Sequence, residues 1–334
     1  MTKIPAAAAL YFLAAVIIAF GQRGGGPAGQ LREVTVKEIP GVIADDASWT
    51  LVWQGTDNAD GIVGTPDGGL LFAQEQPSRI SKLDSTGRVS VFLEDTHGTG
   101  ALTVDSNGRI FGVERTCTDP GRDPANCKEP TALAELSPER KTLADNIDGK
   151  SLGRLNDLIA DKKGGLYFNG AALFYLNAAG KVTTIGENIR TNGITLSPDE
   201  KTLYVTNGGE IVAFDVEPDG SVRNQRVFGR LQAGITGGAG DGMTIDAAGR
   251  IYVTSGPGVQ VLSPEGKFLG LIPTPRSVIS AAFSGPGKKT LYVVASGALG
   301  ADGRELETPP GVRNNAKSIF RIPMIATGFA GRVK

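Results

Sequence analysis

One short pattern recurs six times along the chain, at spacings of 36 to 56 residues. The copies are Asp60-Gly-Ile-Val-Gly-Thr65, Gly100-Ala-Leu-Thr-Val-Asp105, Asn156-Asp-Leu-Ile-Ala-Asp161, Asn192-Gly-Ile-Thr-Leu-Ser197, Asp241-Gly-Met-Thr-Ile-Asp246 and Ile279-Ser-Ala-Ala-Phe-Ser284. Eight residues after the first position stands Gly68, Gly108, Gly164, Gly249 or Gly287, with Glu200 in the fourth copy. Each turn leads into a second apolar run with an aromatic: Phe72, Phe111, Tyr167, Tyr204, Tyr252 or Tyr292. Strand, turn, strand, repeated six times at this interval, predicts an all-β chain. The architecture expected is a six-bladed β-propeller, with four-stranded antiparallel blades around a central channel.

Equivalent positions in a propeller lie at one height around a common axis. If the first strand of each repeat is innermost, the first positions ring one mouth of the channel: Asp60, Gly100, Asn156, Asn192, Asp241 and Ile279. Two carboxylates and two amides converging there suit a hard divalent cation. Asn192-Gly193 and Asp241-Gly242 are also ordinary turn dipeptides. Their phase argues against that reading, because the tight turn of each hairpin falls later. The Asp at the sixth position (Asp105, Asp161, Asp246) is expected to cap that later turn.

A chain of 334 residues allows two domains by length, but the repeats require one. A net charge of −1 without a basic stripe argues against nucleic acid as a partner. Lys3, the apolar run Ile4 to Phe20 and the small residues around Ala19-Phe20-Gly21 read as a secretory signal over residues 1–21. An uncleaved anchor is the alternative. Residues 22–40 read as a flexible lead-in and 41–334 as the propeller. The protein is then exported, to the periplasm or beyond, with no membrane contact after cleavage and an oligomeric state the sequence leaves open. In that setting Cys117 and Cys127, in a polar Pro-rich loop, are expected to form a local disulfide. Their separation is wrong for Cys-x-x-Cys chemistry.

His97 is the only histidine, which argues against a His-rich zinc site and against a Ser-His-Asp triad unless His97 serves. It is read as a solvated loop residue, with a place in the pocket wall as the alternative. Glu114-Arg115 follows a strand, and spacing leaves open whether the pair faces the pocket or solvent.

Arg154-Leu-Asn-Asp-Leu, Asn192-Gly-Ile-Thr-Leu-Ser-Pro-Asp-Glu-Lys-Thr-Leu-Tyr-Val and Gly240-Asp-Gly-Met-Thr-Ile-Asp-Ala-Ala-Gly-Arg-Ile-Tyr-Val carry a family signature. With them the chain resembles the gluconolactonase / senescence marker protein / luciferin-regenerating enzyme family, from about residue 55 to 325. The resemblance implies a six-bladed propeller that hydrolyses lactones with one divalent metal in the channel. It also implies metal ligation by Asp60, Asn192 and Asp241, with Arg154 and Asn156 contacting substrate and Asn156 sometimes the metal. One position departs from the pattern: the family's first-blade acid is typically Glu before Gly-Pro, and here Asp60-Gly61-Ile62 stands instead.

The chemistry expected is carbonyl polarisation and water activation by the cation, with Asp241 as ligand and base. Arg154 would hold substrate hydroxyls or the developing oxyanion. Oxygen-only ligands favour calcium; zinc, magnesium and manganese stay open. The substrate expected is a small lactone or sugar-derived molecule. Two other readings stay open: an exported binding module with a structural metal, and a related metal-dependent hydrolase or lyase with another substrate, such as a phosphotriester.

Overall fold

A computed structural model describes residues 31–115, 130–232, 239–256, 258–309 and 314–331. Six antiparallel sheets of four strands each follow one another along the chain, as the repeats predict. Their first strands are Ile62–Gly64, Thr99–Val104, Leu158–Ala160, Thr191–Leu196, Met243–Ile245 and Val278–Ser284. Each first strand lies against the first strands of its two neighbours, which closes a ring about the axis. Burial fixes the direction: Ile62–Gly64 is buried throughout, whereas the outermost strand of that blade, Val89–Leu93, is mostly exposed. The sixth blade is completed out of sequence order, because Thr50–Gly55 pairs antiparallel with Lys317–Pro323 and supplies its outer strand.

The apolar core is divided into six clusters, one at each interface between neighbouring blades. Strand periodicity produces this division. In Leu166–Asn169, Leu166 and Phe168 pack toward blade 2, while Tyr167 points the other way, toward Ile194 and Val205 of blade 4. Both faces of every blade are covered, so inner strands read as continuous apolar runs rather than as alternating ones.

The turns follow the sequence reading. The Oδ1 of Asp105 accepts from the backbone N–H of Asn107 and Arg109, each at 2.9 Å, and Asp161 and Asp246 cap their turns in the same way. Glu200 takes the left-handed φ of 59° that Gly68 and Gly249 adopt in other blades, a conformation that normally favours glycine. The lead-in reading of 22–40 needs correction over its described part. Val36 and Ile39 are buried in the core between blades 5 and 6, and Arg32 Nε donates to the Thr274 carbonyl at 3.1 Å. This segment is irregular, so no strand or helix period announces its apolar residues. The signal segment, Cys117 and Cys127 lie outside the described residues.

Close backbone approach near the axis explains the glycine that follows the ring position. A Cβ on Gly193 would stand 2.4 Å from the Asp241 carbonyl oxygen of the next blade. A Cβ on Gly61 would stand 2.5 Å from Ala101 Cα, and the Gly61 N–H donates to the Gly100 carbonyl at 2.8 Å. Gly193→Ala therefore forces blades 4 and 5 apart. It is expected to cost about 1–3 kcal/mol, measured as a lower midpoint in thermal or urea unfolding of the metal-free protein.

Candidate functional site

The ring positions sit where the sequence phase puts them. Backbone N–H groups of Asp60, Asn156 and Asp241 donate to Ala73, Asn169 and Thr254 carbonyls of the neighbouring strand at 3.1, 2.9 and 2.8 Å. The three residues therefore start their blades in the same register. Asn192 is fixed by its neighbours: its N–H donates to Thr206 Oγ1 at 3.1 Å, and its carbonyl accepts from Asn169 Nδ2 at 2.7 Å.

The side chains meet around the axis. Asn156 Nδ2 donates to Asn192 Oδ1 at 2.7 Å, and Asn192 in turn hydrogen-bonds Asp241. Asp60 joins this arc through Arg115, whose Nη1 donates to Asp60 Oδ2 at 2.7 Å and whose Nη2 donates to Asn156 Oδ1 at 3.1 Å. The arc thus runs through blades 1 to 5. Blade 6 contributes Ile279, whose side chain is apolar and whose carbonyl accepts from Gly242 N–H at 2.9 Å.

Two members of the site were not assigned from sequence. Arg115 is fully buried and Glu75, just past the second strand of blade 1, is also buried; the two form an ion pair. Arg154, 41% exposed at its side chain, lies 3.7 Å from the same Glu75 oxygen. Glu114 turns the other way and takes a bidentate pair from Arg140 at 2.8 and 2.7 Å. The usable signal for Arg115 was Gly100, a ring position with no side chain to fill it. His97 is half-buried in the loop before blade 2, with φ of 50°. Asp157, beside Asn156, is structural: Oδ1 accepts from Leu158 N–H and Oδ2 from Ile194 N–H of the next blade, both at 2.9 Å.

Among the described residues the acids of this region outnumber the bases: Asp60, Glu75, Asp157 and Asp241 stand with Arg115 and Arg154. Burial pushes the Asp241 carboxyl up to about 7, helped by the charges of Asp60 and Asp157 and opposed by the Asn192 hydrogen bond and Arg115. Burial also raises Asp60, with Arg115 opposing and Glu75 adding to the rise. The guanidinium of Arg115 loses hydration, but Glu75 and Asp60 more than offset this and hold its pKa above the ordinary value.

Two carboxylates, two amides and an excess of negative charge form a donor set that fits one hard divalent ion. Among the described residues no three His, Cys, Asp or Glu gather as a ligand group, so such an ion would depend on Asn156 and Asn192.

Residues 59–297 match the family model described as SMP-30/Gluconolactonase/LRE-like region. A gluconolactonase of Zymomonas mobilis is 27% identical over 304 residues, which span 76% of this chain and 78% of that protein. The pentonolactonase XacC of Haloferax volcanii is 32% identical over 205 residues, 57% of this chain and 68% of its own. Among solved structures, a calcium-binding protein, regucalcin, from Agrobacterium tumefaciens superposes with a TM-score of 0.64 at 18% identity. That match covers 84% of this chain and 95% of the other, and shows a shared fold.

The raised Asp241 pKa has a pH consequence. A carboxyl that titrates near 7 folded and near 3.8 unfolded favours the folded state below about 4. That contribution is lost as pH rises through about 7. In excess chelator the thermal midpoint should therefore fall between pH 4 and 7 more steeply for wild type than for Asp241→Asn. Equal slopes in differential scanning fluorimetry would contradict this.

Proposed function

We propose that this chain, which belongs to the SMP-30/Gluconolactonase/LRE-like family, is a divalent-metal-dependent hydrolase that opens a lactone ring at the mouth of its central channel. The observation that carries the reading is the arc of Asp60, Asn156, Asn192 and Asp241, with acids in excess of bases among the described residues around it. The substrate class rests on the family and on relatives named gluconolactonase and pentonolactonase.

Asp60, Asn156, Asn192 and Asp241 would hold the ion. Calcium is the ion we assign, because the donors are all oxygen and a fold neighbour is described as calcium-binding; zinc more often takes nitrogen and sulfur. When bound, a hard cation there polarises an ester carbonyl and makes a water more acidic.

The chain's own groups supply the rest. The Asp241 carboxylate takes the proton from the attacking water and returns it to the ring oxygen as the carbon–oxygen ester bond breaks, giving a hydroxy acid. Asp60 shares its charge with Arg115, which leaves Asp241 as the carboxylate of the arc without an arginine directly hydrogen-bonded to it among the described contacts. That difference favours Asp241 over Asp60 as the base. The half-exposed Arg154, drawn toward Glu75, presents a cation at the channel mouth that holds substrate hydroxyls or the oxyanion.

A pH-indicator assay tests the reading, comparing calcium-loaded and chelated protein on aldonolactones, aliphatic lactones, aryl esters and phosphotriesters. Hydrolysis of aldonolactones that disappears with chelator is the expected result. Asp241→Asn should cut turnover at least about a hundredfold at saturating calcium. Asn192→Ala should weaken calcium binding more than it lowers turnover once calcium saturates, because an amide has no acid–base role. Near wild-type turnover in Asp241→Asn would remove it as the base.

A further inference from the structure

Blade 2 departs from the polar ring, and its departure is filled from a different place in the chain. Where blades 1, 3, 4 and 5 offer Asp60, Asn156, Asn192 and Asp241, blade 2 offers Gly100. The space above Gly100 is taken by the guanidinium of Arg115, which comes from just past the second strand of the same blade. A Cβ on Gly100 would stand 2.1 Å from Nη1 and 2.2 Å from Cζ of Arg115.

A guanidinium carries five N–H groups in a rigid fork, and the acceptors of this one include atoms of four residues from the two neighbouring blades. Nε donates to the Leu155 carbonyl at 2.7 Å, and Nη1 donates to Asp60 Oδ2 at 2.7 Å and to Glu75 Oε1. Nη2 donates to Asn156 Oδ1 at 3.1 Å and to the Asn156 carbonyl. One side chain of blade 2 thus grips a ring residue of blade 1 and a ring residue of blade 3 together. Its side chain is 1% exposed, so it acts on the ring through these partners.

We infer that Arg115 is the positioning residue of the cation site: it replaces the missing ring side chain of blade 2 and fixes which oxygen Asp60 and which end of the Asn156 amide face the axis. With Oδ2 of Asp60 held by Nη1, the remaining oxygen, Oδ1, is the one left to ligate. Oδ1 of Asn156 accepts from Nη2 through one lone pair, which leaves its second lone pair for the ion, while Nδ2 donates to Asn192 Oδ1; one guanidinium thus orders the Asp60 and Asn156 side chains directly and Asn192 through Asn156. Lysine carries the same charge but three donors on a single nitrogen and cannot span these partners. The inference rests on the cation reading of the ring given above.

Calorimetric titration with calcium alone tests it, on wild type, Arg115→Lys and Gly100→Ala. Gly100→Ala keeps every charge and acts by steric contact, on the guanidinium and on its partner Glu75, whose Oε1 would lie 2.4 Å from the added Cβ; Gly100 has no left-handed backbone to strain. Both variants should bind calcium about 10- to 100-fold more weakly than wild type. An arginine that merely held blade 2 in place would lower the unfolding temperature and leave the calcium affinity of the folded protein unchanged, which would overturn the inference.

Should both variants fail to fold, nitrogen-15 arginine spectra of the wild type decide. Among the described residues Arg115 and Arg276 are the two arginines buried to 1% exposure, and one slowly exchanging Nε–H resonance should shift on adding calcium. If neither moves, Arg115 does not sense the ion and the inference fails. A wild type that binds no calcium sinks the cation reading itself, whereas equal binding by all three proteins sinks only the role of Arg115.

Discussion

The whole molecule depends on how closely six inner strands approach one axis. Gly61 N–H reaches the Gly100 carbonyl and Gly242 N–H reaches the Ile279 carbonyl, so blades are joined at the centre by backbone hydrogen bonds. Side chains have no room there, which is why glycine follows the ring position in blades 1, 4 and 5. The same closeness lets residues from five blades join in one arc at the mouth of the channel. Distant parts of the sequence become neighbours there because the seam beneath them is rigid.

Much of this was legible in the sequence because the repeat carries a phase. Phase separates Asp241, at the first position, from Asp246, at the sixth, although Asp241-Gly242 taken alone also reads as a turn dipeptide. In the structure the first joins the central arc and the second caps its hairpin and accepts from Tyr252 Oη at 2.9 Å. Asp60 and Asn156 were placed by the same argument.

Arg115 and Glu75 were not placed, because they lie outside the repeated segment. Both follow the second strand of their blade, where local sequence carries turn and loop character. Their meeting is a tertiary event that depends on the ring being closed. The packed residues of the lead-in escaped for a related reason: two apolar side chains, Val36 and Ile39, in an irregular stretch show no period. The buried cluster also shows how charge substitutes for shape. Arg115 fills the volume that Gly100 leaves, and in doing so brings a positive charge against the carboxylates of Asp60 and Glu75.

The last feature to weigh is the pairing of Thr50–Gly55 with Lys317–Pro323. It joins nearly opposite ends of the described chain, and it completes a sheet. Loop closure of that length carries an entropic penalty that must be met before the sixth sheet is whole. Topologies dominated by such pairings assemble slowly. A ribosome-bound chain can lay down five blades in order, yet it cannot complete the sixth sheet until Lys317–Pro323 has emerged to meet Thr50–Gly55. Until then the blade that stands between Asp241 and Asp60 in the ring is unfinished, and the site they help form awaits that strand.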